Sequence, residues 1–72
     1  MEGDLQRTVG HNLKAYRKAR GLSQEALADV LRMHRTRMGS IERGEKNLRL
    51  KSVEQIAERL DVDPTSLLVP QE

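Results

Sequence analysis

The 72-residue chain has no cysteine, no phenylalanine and no tryptophan, and Tyr16 is its only aromatic residue. Without cysteine there can be neither a disulfide framework nor a thiolate metal site. The two histidines, His11 and His34, are isolated from each other in the sequence, so no metal site is predicted. Because aromatic and β-branched residues are scarce, a helical core of Leu, Val, Ile, Ala and Met is favoured over a sheet.

Long apolar runs are also absent. No stretch approaches the length of a membrane span and no signal-peptide pattern opens the chain, so we expect a soluble, cytoplasmic protein without membrane contact. No nucleophile–base pair, glycine-rich phosphate loop or carboxylate constellation is present, so neither an enzyme nor a cofactor is predicted. The length corresponds to one small domain over residues 1–72, with a marginal core.

Positive charge is concentrated in one segment of the chain. Residues 32–51 contain seven basic and two acidic residues, a net +5, whereas the other 52 residues contain six basic and nine acidic residues, a net −3. A basic face on an otherwise acidic domain is typical of a protein with a polyanionic partner. The alternative is a basic face that is merely solvated.

Apolar residues at helical spacing, together with capping residues, predict five short helices and no strand. The first begins at the cap Asp4 and ends at Gly21. The second covers about 24–31 behind the N-cap Ser23, and the third covers about 35–43. The apolar stripe of the first helix consists of Leu5, Val9, Leu13 and Tyr16.

Two starts remain open for the fourth helix. A capping box of Ser52 and Gln55 places its start near residue 53, whereas the apolar pattern places it near residue 50. The fifth helix is predicted to have Asp63 as its N-cap and Pro64 at its first position. The apolar residues of this last helix are Leu67 and Leu68.

The second and third helices, SQEALADVLRMHRTRMGSIERG over residues 23–44, meet the requirements of a helix-turn-helix. The first helix of such a motif needs apolar contacts and a small residue at the crossing, the turn needs an apolar plug, and the second helix needs apolar residues that face back. The residues that meet these requirements are Leu27, Ala28, Leu31, Met33, Met38 and Ile41.

The stretches LSQEALADVL and IERGEKN resemble the Cro/C1-type (XRE-type) helix-turn-helix family, with its lambda-repressor-like fold, over about Val9 to Leu68. The stretch RTRMGSIERGEKNLRLKS is most similar to the small controller proteins of restriction–modification systems. The resemblance implies a bacterial or phage transcriptional regulator. It would bind a pseudo-palindromic operator in double-stranded DNA as a homodimer, with the third helix in the major groove.

A protein-interaction module, such as an antitoxin or a bridging coactivator, is the alternative function on the same fold. Such a module has no need for the run Arg35, Thr36 and Arg37 at the exposed start of the third helix, so this run favours DNA binding. The apolar surface offered by the C-terminal end of the chain predicts a dimer interface. Its residues are Leu67, Leu68 and Val69.

The resemblance also implies residue roles. Base edges would be contacted by Arg35, Thr36, Gly39 and Ser40. Phosphates would be contacted by Gln24, Arg37 and Arg43, and we add Arg32 and Lys46. A partly buried salt bridge would join Arg17 and Glu42. Lys46, Arg49 and Lys51 can equally be solvated side chains.

Four positions need separate comment. Arg32 stands where the family usually has a left-handed glycine, which implies a strain of about 1 kcal/mol or a compensating phosphate contact. Arg49 replaces the usual Ser or Thr cap of the fourth helix. Gly39 inside the third helix allows either a close approach to DNA or room for a long neighbouring side chain. His34, at the cap of the third helix, is either a titratable phosphate contact or an exposed side chain of little effect.

Overall fold

A computed structural model describes residues 4–70 of the chain and shows five helices and no strand in that range. The helices are α1 (Asp4–Ala19), α2 (Gln24–Val30), α3 (Arg35–Glu42), α4 (Leu50–Leu60) and α5 (Thr65–Leu68). The predicted all-α, five-helix class is confirmed. None of the helices in the described range is long and apolar enough to cross a membrane.

The starts of α2 and α3 are held by side chains at the predicted positions. Ser23 Oγ accepts the N–H of Ala26 at 3.0 Å ahead of α2. His34 Nδ1 accepts the N–H of Thr36 at 3.0 Å ahead of α3, so the imidazole performs the capping role that Ser or Asp usually performs.

Two predicted helix starts, those of α1 and α5, need correction, and the structure decides the open start of α4. Asp4 lies in the first turn of α1 instead of preceding it as a cap. α4 begins at Leu50, so Ser52 lies inside the helix and no capping box forms; the preceding Arg49 makes no side-chain cap hydrogen bond. The apolar pattern decides this start because helix stability comes mainly from packing of the apolar face. α5 begins at Thr65, later than predicted, although the Asp63 carboxylate still accepts the Thr65 N–H at 2.9 Å.

The four longer helices end in the same way. After α2, the N–H of Arg32 donates to the carbonyl of Asp29 at 3.1 Å and that of Met33 donates to the carbonyl of Ala28 at 2.9 Å. This pair of bonds is a Schellman motif, which requires a left-handed residue at the first of the two donors. Arg32 has a φ of +56°, so the predicted left-handed conformation is confirmed. The left-handed residues of the four ends are Gly21, Arg32, Gly44 and Asp61.

The core lies where α1, α2, α3 and α4 meet, and α5 closes it. The fully buried large side chains are Leu13, Leu27, Leu31, Met38 and Ile41. Leu5, which the apolar stripe of the first helix included, is outside the core with 52% exposure, and Val30 on α2 is 48% exposed. A periodic pattern identifies the apolar face of a helix, and it does not identify how much of that face a neighbour covers.

A buried amide anchors α5 to α1. The Nδ2 group of Asn12, which is 5% exposed, donates to the carbonyl oxygens of Ser66, Leu67 and Val69 at 3.3, 3.0 and 2.9 Å. These carbonyls belong to the C-terminal end of α5, where helices commonly use side-chain donors from outside the helix. Sequence reasoning did not single out Asn12, because its partners lie more than fifty positions away in the chain.

α1 and α3 cross with their backbones in contact at Gly10. A Cβ atom at this position would lie 2.2 Å from the carbonyl oxygen of Ile41 and 2.9 Å from that of Glu42. Real Cβ atoms do not approach backbone oxygens so closely, so only glycine allows this crossing. Gly10 therefore sets the distance between α1 and the helix that carries most of the predicted DNA contacts.

We expect Gly10→Ala to lower the free energy of unfolding by about 1–3 kcal/mol, because the added methyl group displaces the α3 backbone. Gly39→Ala is the matched control, since it adds the same methyl group to a helix where the nearest atoms belong to the long side chains of Arg43 and Gln24. It should leave stability unchanged or raise it by up to about 1 kcal/mol through helix propensity. Urea unfolding of both variants gives the comparison, and equal stabilities would contradict a backbone contact at Gly10.

Candidate nucleic-acid interface

The outer face of α3 carries three exposed polar side chains in its first turn, Arg35, Thr36 and Arg37. Its inner face is held by Met38 and Ile41, which are 0% and 1% exposed. Within residues 4–70, neither Arg35 nor Arg37 is engaged in an ion pair. Both guanidinium groups are therefore available to an anion or to a hydrogen-bond acceptor outside the protein.

The second half of the α3 surface is covered by side chains of the protein itself. Gly39 is buried, and a Cβ atom there would lie 3.0 Å from Nη1 of Arg43 and 3.7 Å from Oε1 of Gln24. Ser40 is partly exposed and its hydroxyl donates to the carbonyl of Thr36 at 3.2 Å. Gly39 thus provides room for long neighbouring side chains, the second of its two predicted roles, and its predicted base contact requires Arg43 to move aside.

A buried carboxylate joins the first three helices. The side chain of Glu42 on α3 is 2% exposed and accepts two hydrogen bonds from Arg17 of α1, at 2.7 and 3.0 Å. Gln24 of α2 donates to the same carboxylate at 3.0 Å, and Arg17 donates further to the carbonyl of Leu22 at 2.9 Å. The ion pair expected from the resemblance is present in the structure, and the participation of Gln24 in it was not predicted.

Burial works to raise the pKa of Glu42, and the hydrogen bonds from Arg17 and Gln24 more than offset this, so its pKa lies below the ordinary value of 4.5. The same hydrogen bonding has the opposite effect on the base, because the bond to Glu42 raises the pKa of Arg17 above its ordinary value. Both groups are therefore charged at neutral pH. The charged pair fixes the direction of α3 relative to α1 and α2.

Further basic residues surround α3. Arg32 and Lys46 are exposed in the segments that precede and follow the helix. Arg43, its C-cap residue, is also exposed and its Nε donates to Glu45 at 3.1 Å. We call the five exposed basic side chains on and beside α3, from Arg32 to Lys46 along the chain, the basic strip.

One supporting residue was missed by sequence reasoning. Nη1 of Arg59, on α4, donates at 2.5 Å to the carbonyl of Leu31, the C-cap residue of α2. The bond holds the turn between α2 and α3 against α4. Its donor looks in sequence like any solvated arginine on a helix surface, so nothing indicated this contact.

A helix-turn-helix family model matches residues 13–67 of the chain. The chain belongs to the helix-turn-helix family. The two helices that give the family its name correspond to α2 and α3, so the XRE-type membership expected from the sequence is confirmed.

Relatives of this helix-turn-helix protein are regulators. The control protein C.SmaI of Serratia marcescens is 37% identical over 68 residues, which are 94% of this chain and 81% of that protein. The crystal structure of the restriction–modification controller protein C.AhdI from Aeromonas hydrophila has a TM-score of 0.75 and 37% identity, over 86% of this chain and 94% of that one. The structure of the hypothetical transcription factor NHTF from Neisseria has a TM-score of 0.84 and 34% identity, over 97% of this chain and 80% of that one.

We expect Glu42→Gln to lower the free energy of unfolding by about 3 kcal/mol at neutral pH, because it leaves the Arg17 charge uncompensated. The wild-type contribution of Glu42 is complete above the unfolded-state pKa, near 4.5, and is lost as pH falls through the lower folded-state value. The difference in Tm between wild type and variant should therefore shrink from about pH 7 to about pH 3. Asp63, whose pKa is also lowered by hydrogen bonds from Thr65, titrates in both proteins and cancels in the comparison.

The control for this prediction is Arg43→Met, which removes one partner of an ion pair whose side chains are 57% and 58% exposed. It should change stability by less than about 0.5 kcal/mol, because water already screens the pair. Equal losses in Glu42→Gln and Arg43→Met, or a pH-independent difference, would show that the buried pair contributes no more than an exposed one.

Proposed function

We propose that this helix-turn-helix protein is a sequence-specific transcriptional regulator in the bacterial cytoplasm, which binds a pseudo-palindromic site in double-stranded DNA as a homodimer. The observation that carries the proposal is the exposed run Arg35, Thr36 and Arg37 in the first turn of α3, backed by the buried Met38 and Ile41. The major groove is wide enough for an α-helix, and each base pair presents a distinct pattern of donors and acceptors there. α3 is the helix that can enter it.

The side chains divide into two groups by what they can recognise. We assign base contacts to Arg35, Thr36, Gly39 and Ser40; the planar fork of an arginine matches O6 and N7 of guanine. Contacts to phosphates, which carry no sequence information, we assign to the strip around α3 and to the start of α2. These phosphate-contacting residues are Gln24, Arg32, Arg37, Arg43 and Lys46.

Gln24 supports this assignment by its position. It is the first residue of α2, where backbone N–H groups and the helix dipole favour an anion. Its bond to Glu42 fixes the side chain beside α3 before any DNA is present. A phosphate bound there would set the depth at which α3 lies in the groove.

The dimer interface that we propose is an uncharged groove of about 250 Å³ between the start of α1, the loop before α4 and the end of α5. Leu50 and Leu5 at its edge are 69% and 52% exposed, more than an isolated domain of this size needs to expose. A two-fold axis places each residue opposite the same surface of the other subunit, and a face without charges avoids self-repulsion. The groove is lined by Leu5, Gln6, Val9, Asn47, Leu48, Leu50, Val53 and Leu68.

The interface predicted from the sequence requires one correction. Leu67 is 3% exposed and packs in the core, so it offers no surface to a second chain. Leu68 lines the groove and Val69 is 53% exposed, so both stay in the proposed interface. Successive residues of a single helical turn point in different directions, and the sequence alone did not show which of them faces inward.

The position of the groove suits a two-fold DNA site. The lining residues Asn47 and Leu48 belong to the loop that directly follows α3. A second subunit bound there would lie next to the end of α3, and the proposed DNA site requires that the two recognition helices face the same side of the dimer. Two such helices need half-sites about one turn of DNA apart, roughly 10 bp.

The similarity to the controller protein C.AhdI and to the control protein C.SmaI supports a role in the control of a restriction–modification system. Genes for a methyltransferase and an endonuclease beside the gene of this protein would support that assignment, and their absence would favour another regulatory setting.

Arg35→Ala should weaken binding by about 1–3 kcal/mol per half-site and relax the base preference at one position, because a bidentate contact to one base is lost. Arg43→Ala should instead weaken binding to all sequences alike and reduce the salt slope by about one unit for each arginine lost. Selection from random duplexes with wild type and both variants measures the preferences. A change of motif in Arg43→Ala with none in Arg35→Ala would reverse the two roles, and the absence of any wild-type motif would favour the interaction-module alternative.

Leu50→Lys should convert a dimer into a monomer at tens of micromolar protein, because it places two like charges in an uncharged two-fold interface. The fold should persist, since Leu50 is mostly exposed within the subunit. Val30→Lys is the control, because Val30 is a similarly exposed apolar residue that lies on α2 and outside the groove. Sedimentation equilibrium distinguishes the cases: a monomeric wild type contradicts the homodimer, and a dimeric Leu50→Lys variant contradicts this interface.

A further inference from the structure

Arg43 lies folded back across the part of α3 that we assign to base recognition. Its Nη2 is 3.4 Å from Oγ of Ser40, and its Nη1 is 3.0 Å from the point where Gly39 would carry a Cβ atom. Gly39 is buried, and the side chains nearest to this point are those of Arg43 and of Gln24 on α2. Two of the four residues assigned to base contacts are thus shielded in the DNA-free protein by a residue assigned to phosphate.

The side chain is held in this place by Glu45. The carboxylate of Glu45 accepts the Nε–H of Arg43 at 3.1 Å, while Nη2 of the same guanidinium group donates to Ser40. Glu45 is the only acidic residue among the nine residues from 43 to 51, which otherwise contain four basic side chains. A carboxylate and a phosphate offer an arginine the same pair of acceptor oxygens, so the two compete for it.

We propose that Glu45 is a positioning residue, which holds Arg43 across Gly39 and Ser40 until a DNA phosphate replaces its carboxylate. The inference rests on the proposed function and adds to it that two events of DNA binding are coupled. The phosphate contact of Arg43 and the opening of the α3 surface occur in one movement. Glu45 therefore lowers the affinity for DNA, and it does so through Arg43.

A plain electrostatic effect predicts something different. Any acidic residue near DNA repels phosphates, and its removal strengthens binding whether or not Arg43 is present. If Glu45 acts through Arg43, the benefit of removing it disappears when Arg43 is absent. A double-mutant cycle separates the two explanations.

The experiment measures the affinity of wild type, Glu45→Gln, Arg43→Ala and the double variant for the duplex selected by the wild-type protein. Glu45→Gln should bind about threefold more tightly per subunit, in keeping with the small worth of an exposed ion pair. In the Arg43→Ala background the same change should have no effect beyond that of Glu54→Gln. This control removes an equal charge from an exposed position on α4. A gain that persists in the Arg43→Ala background overturns the inference.

A second measurement uses the DNA-free protein. The ¹⁵N–¹H signal of the Arg43 Nε group should shift, and its proton should exchange faster with water, in Glu45→Gln but not in Glu54→Gln. An unchanged signal in Glu45→Gln overturns the inference, whatever the binding data show. If the wild-type protein binds and the cycle is additive, only the role of Glu45 fails; if the wild-type protein binds no duplex, the proposed function fails and the role of Glu45 with it.

Discussion

The buried carboxylate of Glu42 is the constraint on which the rest of the structure depends. A charge that is 2% exposed is stable only when it is paired and hydrogen-bonded, and its partners come from two other helices, Arg17 from α1 and Gln24 from α2. The carboxylate therefore specifies one relative orientation of the three helices. The same arrangement places Gln24, at the start of α2, directly beside the surface of α3.

Polar contacts are needed to hold α3 in place because this helix contributes little to the apolar core. Its only large buried apolar side chains are Met38 and Ile41. Three contacts compensate for this narrow apolar edge: the hydrogen bonds to the Glu42 carboxylate, the backbone contact at Gly10 and the hydrogen bond from Arg59 to the turn before α3. Each of them fixes the position of α3 more than it adds buried apolar area.

The helices and their ends could be predicted largely from local signals. The cap at Ser23 and the polar first turn of α3 depend on residues close together in the chain, whereas the left-handed Arg32 was expected from the resemblance to the family. At Ser52 a plausible capping residue lost to the apolar pattern that begins at Leu50, and Asp4 lies within the first turn of α1. Contacts across long separations, such as those of Asn12 with the end of α5, left no readable signal because neither partner is unusual in its own segment.

The sequence by itself determined five helices, a helix-turn-helix with a basic outer face, and a core without aromatic residues, because periodicity, capping and charge are properties of short segments. Only the tertiary structure decided that Leu67 is core while Leu5 and Leu50 are surface, that Gly10 sets the distance from α1 to α3, and that Arg43 lies over Gly39. Each of these outcomes depends on which neighbour arrives at a given face and how far it extends. That information resides in the packing of whole helices and not in the order of residues along any one of them.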